Sequence, residues 1–446
     1  MENTLFTDLG ISDEVLKAIA DMGFEKPSPI QTAALPALLA GRDLVGQSAT
    51  GSGKTAAFAI PAIDAVDVAV RKPQVLVLCP TRELALQVFE EFGKLSKYKK
   101  GVRGAVIYGG ESYGRQFRDL EAGAQIVVGT PGRVIDHLER GSLVLDGIKT
   151  VILDEADRML DMGFRDDIER ILEGAPKERQ SVFFSATLPK PIQELIKRSC
   201  NEPAHVKILP PKGEAGKNIE QFVVDCDRGA KASAMIRLIT FHRYRRGIIF
   251  CATKMMVDEL TESLTEHGIP CDRLHGDIRQ RDRDTIMRKF REGVFEFLVA
   301  TDVAARGLDV DDLEVVFNYD VPNDAEDYTH RIGRVGRAGR TGIAYTFFSS
   351  KGERFHMERI ASHTRFAMTR ARIPSKDEVD KQRQEAFAAD VLALINSGKF
   401  KKKEAVAAKL LESGLSPSDV ISAVIHFYEH GGLDAEQPVP VAHHQV

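Results

Sequence analysis

Short apolar runs rich in β-branched residues alternate with helical stretches twice along this chain, and no other feature limits the fold so strongly. Such runs lie in the first half at residues 75–78, 125–128, 151–153 and 182–184, and in the second half at 247–250, 297–300, 315–317 and 344–348. Continuous apolar runs separated by helices are typical of parallel strands buried on both faces. The sequence therefore predicts an α/β fold with two parallel sheets.

A segment rich in proline, glycine and charge lies between the two series, at residues 210–217, and predicts an exposed linker. Beyond residue 370 only helical patterns remain, and Ser416, Pro417 and Asp419 have the types and spacing of a helix start. The predicted domains are an N-terminal α/β domain at 1–208, a linker at 209–218, a C-terminal α/β domain at 219–370 and a helical extension at 371–446.

The composition is typical of a soluble globular protein, with 43% hydrophobic and 28% charged residues among 446. No apolar stretch reaches the length of a membrane span, and the first residues lack the features of a signal peptide. The five cysteines have no Cys-x-x-Cys spacing, which argues against a disulfide framework or a zinc site and favours a reducing compartment. With a net charge of −4, any nucleic-acid binding must come from a local groove.

Two motifs predict a site for a nucleoside triphosphate and magnesium. Gly51-Ser52-Gly53-Lys54-Thr55 is a glycine loop that enters an apolar helix, and Asp154-Glu155-Ala156-Asp157 ends an apolar run further along the chain. In such loops backbone N–H groups surround the phosphates, while the lysine meets the β/γ charge. Thr55 and Asp154 would hold Mg²⁺, and Glu155 would orient and deprotonate the attacking water.

The tetrapeptide Asp154-Glu155-Ala156-Asp157 resembles the motif that names the DEAD-box RNA helicases, and the family's other motifs follow in order over residues 6–370. The resemblance implies two tandem RecA-like parallel-sheet domains that bind ATP and Mg²⁺. It assigns Gln31 to the adenine edge, which matches one donor and one acceptor of a side-chain amide. The other residues that it assigns to the nucleotide are Phe6, Phe24, Lys26, Thr50, Gly51, Ser52, Gly53, Lys54, Thr55 and Asp309.

The resemblance also implies RNA contacts in both domains, made to the sugar-phosphate backbone with little sequence preference. The residues that it assigns to RNA are Pro80, Thr81, Arg82, Gly110, Thr130, Arg133, Thr253, Arg283, Thr301 and Gly307. It assigns the coupling of ATP state to domain closure to Asp157, Ser185, Thr187 and His330. Arg334 and Arg337 would be supplied to the γ-phosphate, as catalytic residues with Lys54, Asp154 and Glu155. Val335 departs from the family pattern, since threonine is usual at that position.

These features predict an RNA-dependent ATPase that separates short RNA duplexes as its two domains close. Two alternatives stay open at this point: an ATP-gated RNA clamp or assembly platform with little unwinding, and a DNA helicase with the same paired domains. The layout is similar to that of bacterial cold-shock and ribosome-assembly members, which implies a cytoplasmic protein without membrane contact. The extension at 371–446 could cap the second domain, form a homodimer or bind RNA.

Overall fold

The computed structural model describes residues 4–48, 52–208, 218–305, 310, 313–336, 341–364, 369–399, 403–412 and 414–430. Most of the predicted linker (209–217) lies outside these ranges, as do five predicted site residues: Thr50, Gly51, Gly307, Asp309 and Arg337. The chain divides into two compact units, residues 1–375 and 376–446. The first unit contains two sheets, and each sheet with its helices is called a lobe below.

The first lobe, within the described residues, is built on a seven-stranded parallel sheet. Its strands are β1 (Leu44–Ser48), β2 (Val75–Leu78), β3 (Gly104–Ile107), β4 (Ile126–Gly129), β5 (Thr150–Leu153), β6 (Gln180–Ser185) and β7 (Ala204–Ile208). Its helices are α1 (Asp13–Asp21), α2 (Pro29–Leu39), α3 (Lys54–Asp64), α4 (Arg82–Leu95), α5 (Tyr113–Glu121), α6 (Pro131–Glu139), α7 (Ala156–Asp161), α8 (Arg165–Gly174) and α9 (Lys190–Ser199), with a 3₁₀ turn at Phe6–Leu9.

The second lobe has a second seven-stranded parallel sheet in the described part of the chain. Its strands are β8 (Ile219–Asp225), β9 (Gly247–Cys251), β10 (Cys271–Leu274), β11 (Phe297–Thr301), β12 (Val315–Asn318), β13 (Gly342–Phe348) and β14 (Thr369–Arg370). Its helices are α10 (Lys231–His242), α11 (Lys254–Glu266), α12 (Gln280–Arg291), α13 (Asp302–Ala305), α14 (Ala325–Ile332) and α15 (Lys351–Thr364), with a 3₁₀ turn at Arg228–Ala230.

Both sheets have the same strand order, which identifies the lobes as two copies of one topology. The first sheet runs β3-β4-β2-β5-β6-β1-β7, and the second runs β10-β11-β9-β12-β13-β8-β14. Counted from the first strand of each lobe, both orders are 3-4-2-5-6-1-7. The predicted fold of two tandem RecA-like parallel-sheet domains is confirmed.

The strands carry long apolar runs because helices cover both faces of each sheet. Along β2, Val75 and Val77 enter one core cluster while Leu76 and Leu78 enter the cluster on the opposite face. Successive side chains of a strand point to opposite faces, so a strand covered on both sides must be apolar at every position. Because the side chains of β2 enter the two cores alternately, the run in the sequence is apolar without a break.

The second unit contains three helices in the described residues: α16 (Lys376–Ser397), α17 (Glu404–Leu411) and α18 (Pro417–His430). These helices leave many large apolar side chains exposed: Leu392, Leu394, Ile395, Val406, Leu410, Leu411, Ile421, Val424 and Phe427. The domain boundary predicted after residue 370 stays a prediction, although Ala371 and Ile373 pack against the core of the second lobe. Among the helices that the structure describes, none combines the length and apolar character needed to cross a membrane.

Candidate functional site

The predicted site residues of the first lobe lie where strands end. β1 leads toward α3 through the glycine loop, β2 leads to Pro80 and Thr81, β4 leads to Thr130, and β5 leads to Asp154. Because all strands of a parallel sheet end at one edge, loops that follow different strands meet there. The sheet therefore collects motifs that are far apart in the sequence at a single edge.

The glycine loop is anchored by a buried helix. α3 is buried from Ala56 to Ile63, and its first residue, Lys54, is itself only 8% exposed. Gly53 precedes the helix with φ of 90°, a left-handed conformation that favours glycine. A Cβ on Gly53 would lie 2.6 Å from Gln31 Nε2, so this position also lacks room for a side chain. The loop is therefore held close to Gln31.

Gln31 and Ser28 connect the start of α2 to the glycine loop. Gln31 Oε1 accepts from the Ser28 backbone N–H at 2.8 Å, and Gln31 Nε2 donates to the Gly53 carbonyl at 3.1 Å. Ser28 Oγ donates to the Ser52 carbonyl at 2.8 Å. An amide group has two acceptor lone pairs and two N–H donors, so Gln31 retains one donor and one acceptor beyond these bonds. That remaining capacity matches the edge of an adenine.

Asp154 and Glu155 project from the end of β5 in two different environments. Asp154 is 3% exposed, and its Oδ1 has no hydrogen-bond partner among the described residues. Burial raises the pKa of Asp154 to about 6, and the nearby Lys54 ammonium opposes that rise. A buried carboxylate oxygen without a donor is suited to a cation. The donor set of Asp154 and Thr55 therefore fits Mg²⁺.

Glu155 has a backbone conformation that side chains rarely adopt. Its φ and ψ are both 52°, and it is the residue that precedes α7. A non-glycine residue in this region costs on the order of 1–3 kcal/mol and persists where the surroundings enforce it, often at functional sites. Arg158, one turn along α7, donates to Glu155 Oε2 at 3.0 Å and fixes the direction of the carboxylate.

Three of the four predicted coupling residues form one hydrogen-bonded network. The Thr187 backbone N–H and hydroxyl both donate to Asp157 Oδ2, at 2.7 and 3.0 Å. The Asp157 backbone N–H donates to Ser185 Oγ at 3.2 Å, and that hydroxyl donates to the Thr187 carbonyl at 2.7 Å. The network ties the tetrapeptide after β5 to the turn after β6 through hydrogen bonds.

Arg331 and Arg334 of the second lobe make different contacts. Arg331 forms a bidentate ion pair with Asp302, at 2.6 and 2.7 Å, and donates to the Asp320 carbonyl. Arg334 is 8% exposed and lines a pocket that also receives His330 and Arg158. Arg158 of the first lobe also donates to Glu155, the predicted catalytic base, so this one side chain connects the pocket of Arg334 with Glu155.

The loops predicted to bind RNA begin helices in both lobes. Thr81 caps α4 by accepting from the Leu84 N–H at 3.2 Å, and Thr253 caps α11 by accepting from the Met256 N–H at 3.2 Å. β2 and β9 hold the same place in their sheets, so the two threonines are structural counterparts. Thr130 precedes α6, and Thr301 ends β11.

Arg133 points into the first lobe. It is 8% exposed, donates to the Glu111 carbonyl at 3.1 Å, and lies over the Tyr113 ring at 4.1 Å from its centre. It therefore braces the loop that contains Gly110, which has a φ of 84°. Its predicted contact with RNA stays a prediction.

Two reciprocal ion pairs join the lobes beside the predicted RNA residues. Arg82 Nη2 lies 3.0 Å from Asp284 Oδ2, and Arg283 Nη2 lies 3.2 Å from Glu83 Oε1. Arg283 also donates to the Ala304 carbonyl at 2.9 Å. The predicted RNA arginines of the two lobes are thus brought to one place, each held by a carboxylate of the other lobe.

The aromatic residues predicted at the adenine differ in exposure. Phe6 is 4% exposed and belongs to the core of the first lobe, whereas Phe24 is 37% exposed. Lys26 is exposed. Their predicted contacts with the nucleotide stay predictions.

Sequence reasoning missed several residues that organise the site. Arg158 lies three residues after Glu155 on a helix, a spacing that could have indicated the pair. Glu83 and Asp284 adjoin the predicted Arg82 and Arg283, but their pairing across the lobes has no local signal. The same is true of Glu326, whose Oε2 lies 3.2 Å from the Thr187 hydroxyl of the other lobe.

Comparisons with known proteins agree with this geometry. Residues 28–195 match the family model described as DEAD/DEAH box helicase, and residues 230–339 match the helicase conserved C-terminal domain. The chain is 45% identical over 411 residues to the DEAD-box ATP-dependent RNA helicase CshA of Geobacillus kaustophilus, covering 92% of this chain and 87% of the relative. It is 42% identical over 419 residues to CshA of Bacillus subtilis, covering 94% and 84%.

A solved structure has a similar arrangement of both lobes. S. cerevisiae Dbp5 bound to RNA and ADP BeF3 matches with a TM-score of 0.76 and 34% identity. The match covers 86% of this chain and 99% of that chain.

Proposed function

Since this chain belongs to the DEAD-box family and is an ATP-dependent RNA helicase, we propose that ATP and RNA together close its two lobes into one active site. The observation that carries the proposal is the pocket shared by Arg158 of the first lobe and Arg334 of the second. Arg334 can reach an ATP bound to the first lobe only when the second lobe lies in this position. Linkage then requires ATP and RNA to strengthen each other's binding.

The first lobe holds ATP in this proposal. Gln31 reads the adenine edge with its remaining donor and acceptor, and the N–H groups at the start of α3 receive the phosphates. Lys54 neutralises the β/γ charge, and Glu155 orients the attacking water and takes its proton. Arg334 and Arg337 stabilise the charge that develops on the γ-phosphate.

Magnesium is proposed at Thr55 and Asp154. Support comes from the unpartnered Asp154 Oδ1 and from the hydroxyl of Thr55 at the first turn of α3. When bound, the ion neutralises phosphate charge as it develops. Asp154 keeps the buried position from which a carboxylate oxygen can reach it.

RNA is proposed to lie across both lobes, along loops that offer hydroxyls, helix N-termini and arginines to a sugar-phosphate backbone. The first lobe contributes Pro80, Thr81, Arg82, Gly110, Thr130 and Arg133, and the second contributes Thr253, Arg283, Thr301 and Gly307. Contacts with the 2′-hydroxyl favour RNA over DNA. A backbone bent across two lobes is incompatible with a regular duplex, so short duplexes separate locally.

ATP hydrolysis measured with single-stranded RNA, with DNA of the same sequence and without nucleic acid tests this function. Strong stimulation by RNA and little by DNA is the expected result. Equal turnover under all three conditions would mean that RNA does not complete the site. Stimulation without strand separation of a short RNA duplex would favour the clamp over the helicase.

Replacing Gln31 with alanine is expected to reduce the preference for ATP over GTP by about fivefold for each adenine hydrogen bond that is lost, since one hydrogen bond contributes roughly 1 kcal/mol. The measurement is kcat/KM for both nucleotides at saturating RNA. Ser28→Ala is the matched control, because it removes the bond to the Ser52 carbonyl and leaves the Gln31 amide in place. A similar loss of preference in Ser28→Ala would mean that selectivity depends on where the glycine loop is held and not on the Gln31 amide.

Asp154→Asn is expected to lower RNA-stimulated hydrolysis at least about a hundredfold, since a metal's charge stabilisation is worth several kcal/mol and each 1.4 kcal/mol is tenfold. The variant should also need more magnesium for half-maximal rate. Asp166→Asn, on the exposed face of α8, is the control for loss of one negative charge. An unchanged magnesium requirement in Asp154→Asn contradicts the assignment.

A homodimer through residues 371–446, one of the three alternatives that the sequence left open for this extension, is retained as a proposal. Support comes from the apolar side chains that α16, α17 and α18 leave exposed, since large exposed apolar patches commonly mark interaction sites. The mass in solution, with and without residues 371–446, tests it, and a monomeric mass for the full chain argues against it. The cytoplasmic location also stays a prediction.

A further inference from the structure

One hydroxyl lies between two carboxylates that come from different lobes. Thr187 Oγ1 is 3.0 Å from Asp157 Oδ2 of its own lobe and 3.2 Å from Glu326 Oε2 of the second lobe. Glu326 is in the first turn of α14, the helix that also carries His330. The contact therefore joins the coupling network directly to the helix that leads to Arg334.

The count of protons decides how these three groups can bond. A threonine hydroxyl has one proton and can donate to one carboxylate, while an ionised carboxylate can only accept. If both carboxylates were ionised, one of the two short contacts would place the Thr187 oxygen against a carboxylate oxygen with no proton between them. A proton on Glu326 removes the conflict, because Glu326 then donates to Thr187 Oγ1 and Thr187 donates to Asp157.

Asp157 is the better anion of the two carboxylates. It accepts from the Thr187 N–H at 2.7 Å and from the Arg158 N–H at 3.1 Å, in addition to the Thr187 hydroxyl. Glu326 Oε1, in contrast, is buried and has no hydrogen-bond partner among the described residues. Donors stabilise the ionised form of a carboxylate, so the proton belongs on Glu326.

The surroundings of Glu326 are mainly acidic. Burial, followed by the negative charge of Asp157, raises the pKa of Glu326 to about 7, with Asp161 and Asp324 adding to the rise and the Thr187 bond opposing it. The cavity beside Glu326 has a volume of about 210 Å³. The charged and titratable groups around Glu326 are Asp157, Arg158 and Asp161 of α7, and Asp324, Asp327 and His330 in and before α14.

We propose that Glu326 is a positioning residue that carries a proton when the lobes lie as they do here, so that closure on ATP and RNA takes up one proton. Glu326 acts through Thr187 and Asp157, the residues that tie the tetrapeptide after β5 to the turn after β6. The inference rests on the proposed function, since it assumes that ATP and RNA drive the two lobes together.

The direction of the pH effect follows from the two states of Glu326. When the lobes separate, Glu326 is exposed to water, recovers an ordinary glutamate pKa and is ionised at neutral pH. Closure then binds a proton between that ordinary pKa and about 7. Within this window closure weakens about tenfold for each unit of rising pH, and above it the effect levels off.

The test measures binding of a fluorescein-labelled single-stranded RNA by anisotropy, in the presence of ADP and beryllium fluoride, from about pH 6 to about pH 8. This readout reports closure without the chemical step. Wild-type affinity is expected to fall about tenfold over the range, as one proton with a pKa of about 7 is lost. Glu326→Gln should change less than about twofold, because its amide donates to Thr187 at every pH.

Four controls keep the result interpretable. Glu358→Gln on the exposed side of α15 should retain the wild-type pH dependence. RNA affinity measured without nucleotide should not show the pH dependence seen with ADP and beryllium fluoride, since the lobes are then not driven together. A thermal unfolding midpoint checks that Glu326→Gln is folded, and Thr187→Ser, which keeps the hydroxyl, should retain the pH dependence.

Two outcomes would overturn the inference. A pH dependence that persists in Glu326→Gln would place the proton on another group, such as His330, which lines the same cavity. A wild-type affinity that does not change with pH would mean that closure takes up no proton. In either case, RNA stimulation of ATP hydrolysis at one pH would still support the proposed function, and its absence would overturn that function separately.

Discussion

Glu155→Gln is expected to slow RNA-stimulated ATP hydrolysis by roughly 10²–10⁴-fold, the usual contribution of a positioned general base. ATP and RNA binding should stay near wild type, because an amide has the size of the carboxylate and can still accept from Arg158 at the Oε2 position. The measurement is single-turnover hydrolysis at saturating RNA, together with RNA affinity in the presence of ATP. A slower chemical step with intact binding is the pattern of a group that acts in the transition state.

Glu173→Gln provides the matched control for this result. Glu173 is exposed near the end of α8, so the same change there alters the charge of the first lobe without touching the site. Hydrolysis by the control should equal wild type. If Glu155→Gln retained most of its rate, Glu155 would only orient Arg158 and another group would have to take the proton from water.

Arg334→Ala is expected to reduce hydrolysis by roughly 10³–10⁵-fold, the value of an arginine that meets the charge of a transferring phosphoryl group. ATP binding to the first lobe in the absence of RNA should be unchanged, because Arg334 belongs to the second lobe. The expected loss depends on the pocket that Arg334 shares with Arg158. The measurements are kcat with RNA and nucleotide affinity without RNA.

Arg359→Ala is the control for loss of a second-lobe arginine, since Arg359 lies exposed on α15. It should hydrolyse ATP like wild type. Arg334→Lys separates charge from geometry, because a lysine keeps one positive charge but lacks the fork of donors. A variant Arg334→Ala with near-normal kcat would exclude the proposed arginine and leave Arg337, which lies outside the described residues, as the candidate.

The sequence predicted the strands for a simple physical reason. Each residue of β2 is buried on one face or the other, so the whole run from Val75 to Leu78 must be apolar, and that pattern is legible without a structure. The glycine loop and the tetrapeptide after β5 are likewise local, because their chemistry depends on residues adjacent in the chain. Local signals of this kind were sufficient to predict two parallel-sheet α/β domains and the position of the nucleotide motifs, and the resemblance to the DEAD-box family implied that the domains are RecA-like.

Other parts of the site depend on contacts between residues far apart in the chain. The link from Gln31 to Gly53, the pairs Arg82–Asp284 and Arg283–Glu83, and the contact of Glu326 with Thr187 all join distant segments. No periodicity or spacing records such a contact, since it is set by how sheets order their strands and how the lobes meet. Arg133 illustrates the same point, because only packing turns its side chain toward Glu111 and Tyr113.

The sequence by itself determined the two α/β domains and the helical extension, and it predicted the residue types of the proposed nucleotide site, because burial and phosphate chemistry restrict residues at short range. Only the tertiary structure decided that both sheets share one strand order and that Arg334 reaches the pocket of Arg158. It also decided that a single threonine hydroxyl lies between two carboxylates. These three features depend on packing between distant segments. The free energy of such packing is shared among many side chains, so no short segment of the sequence records it.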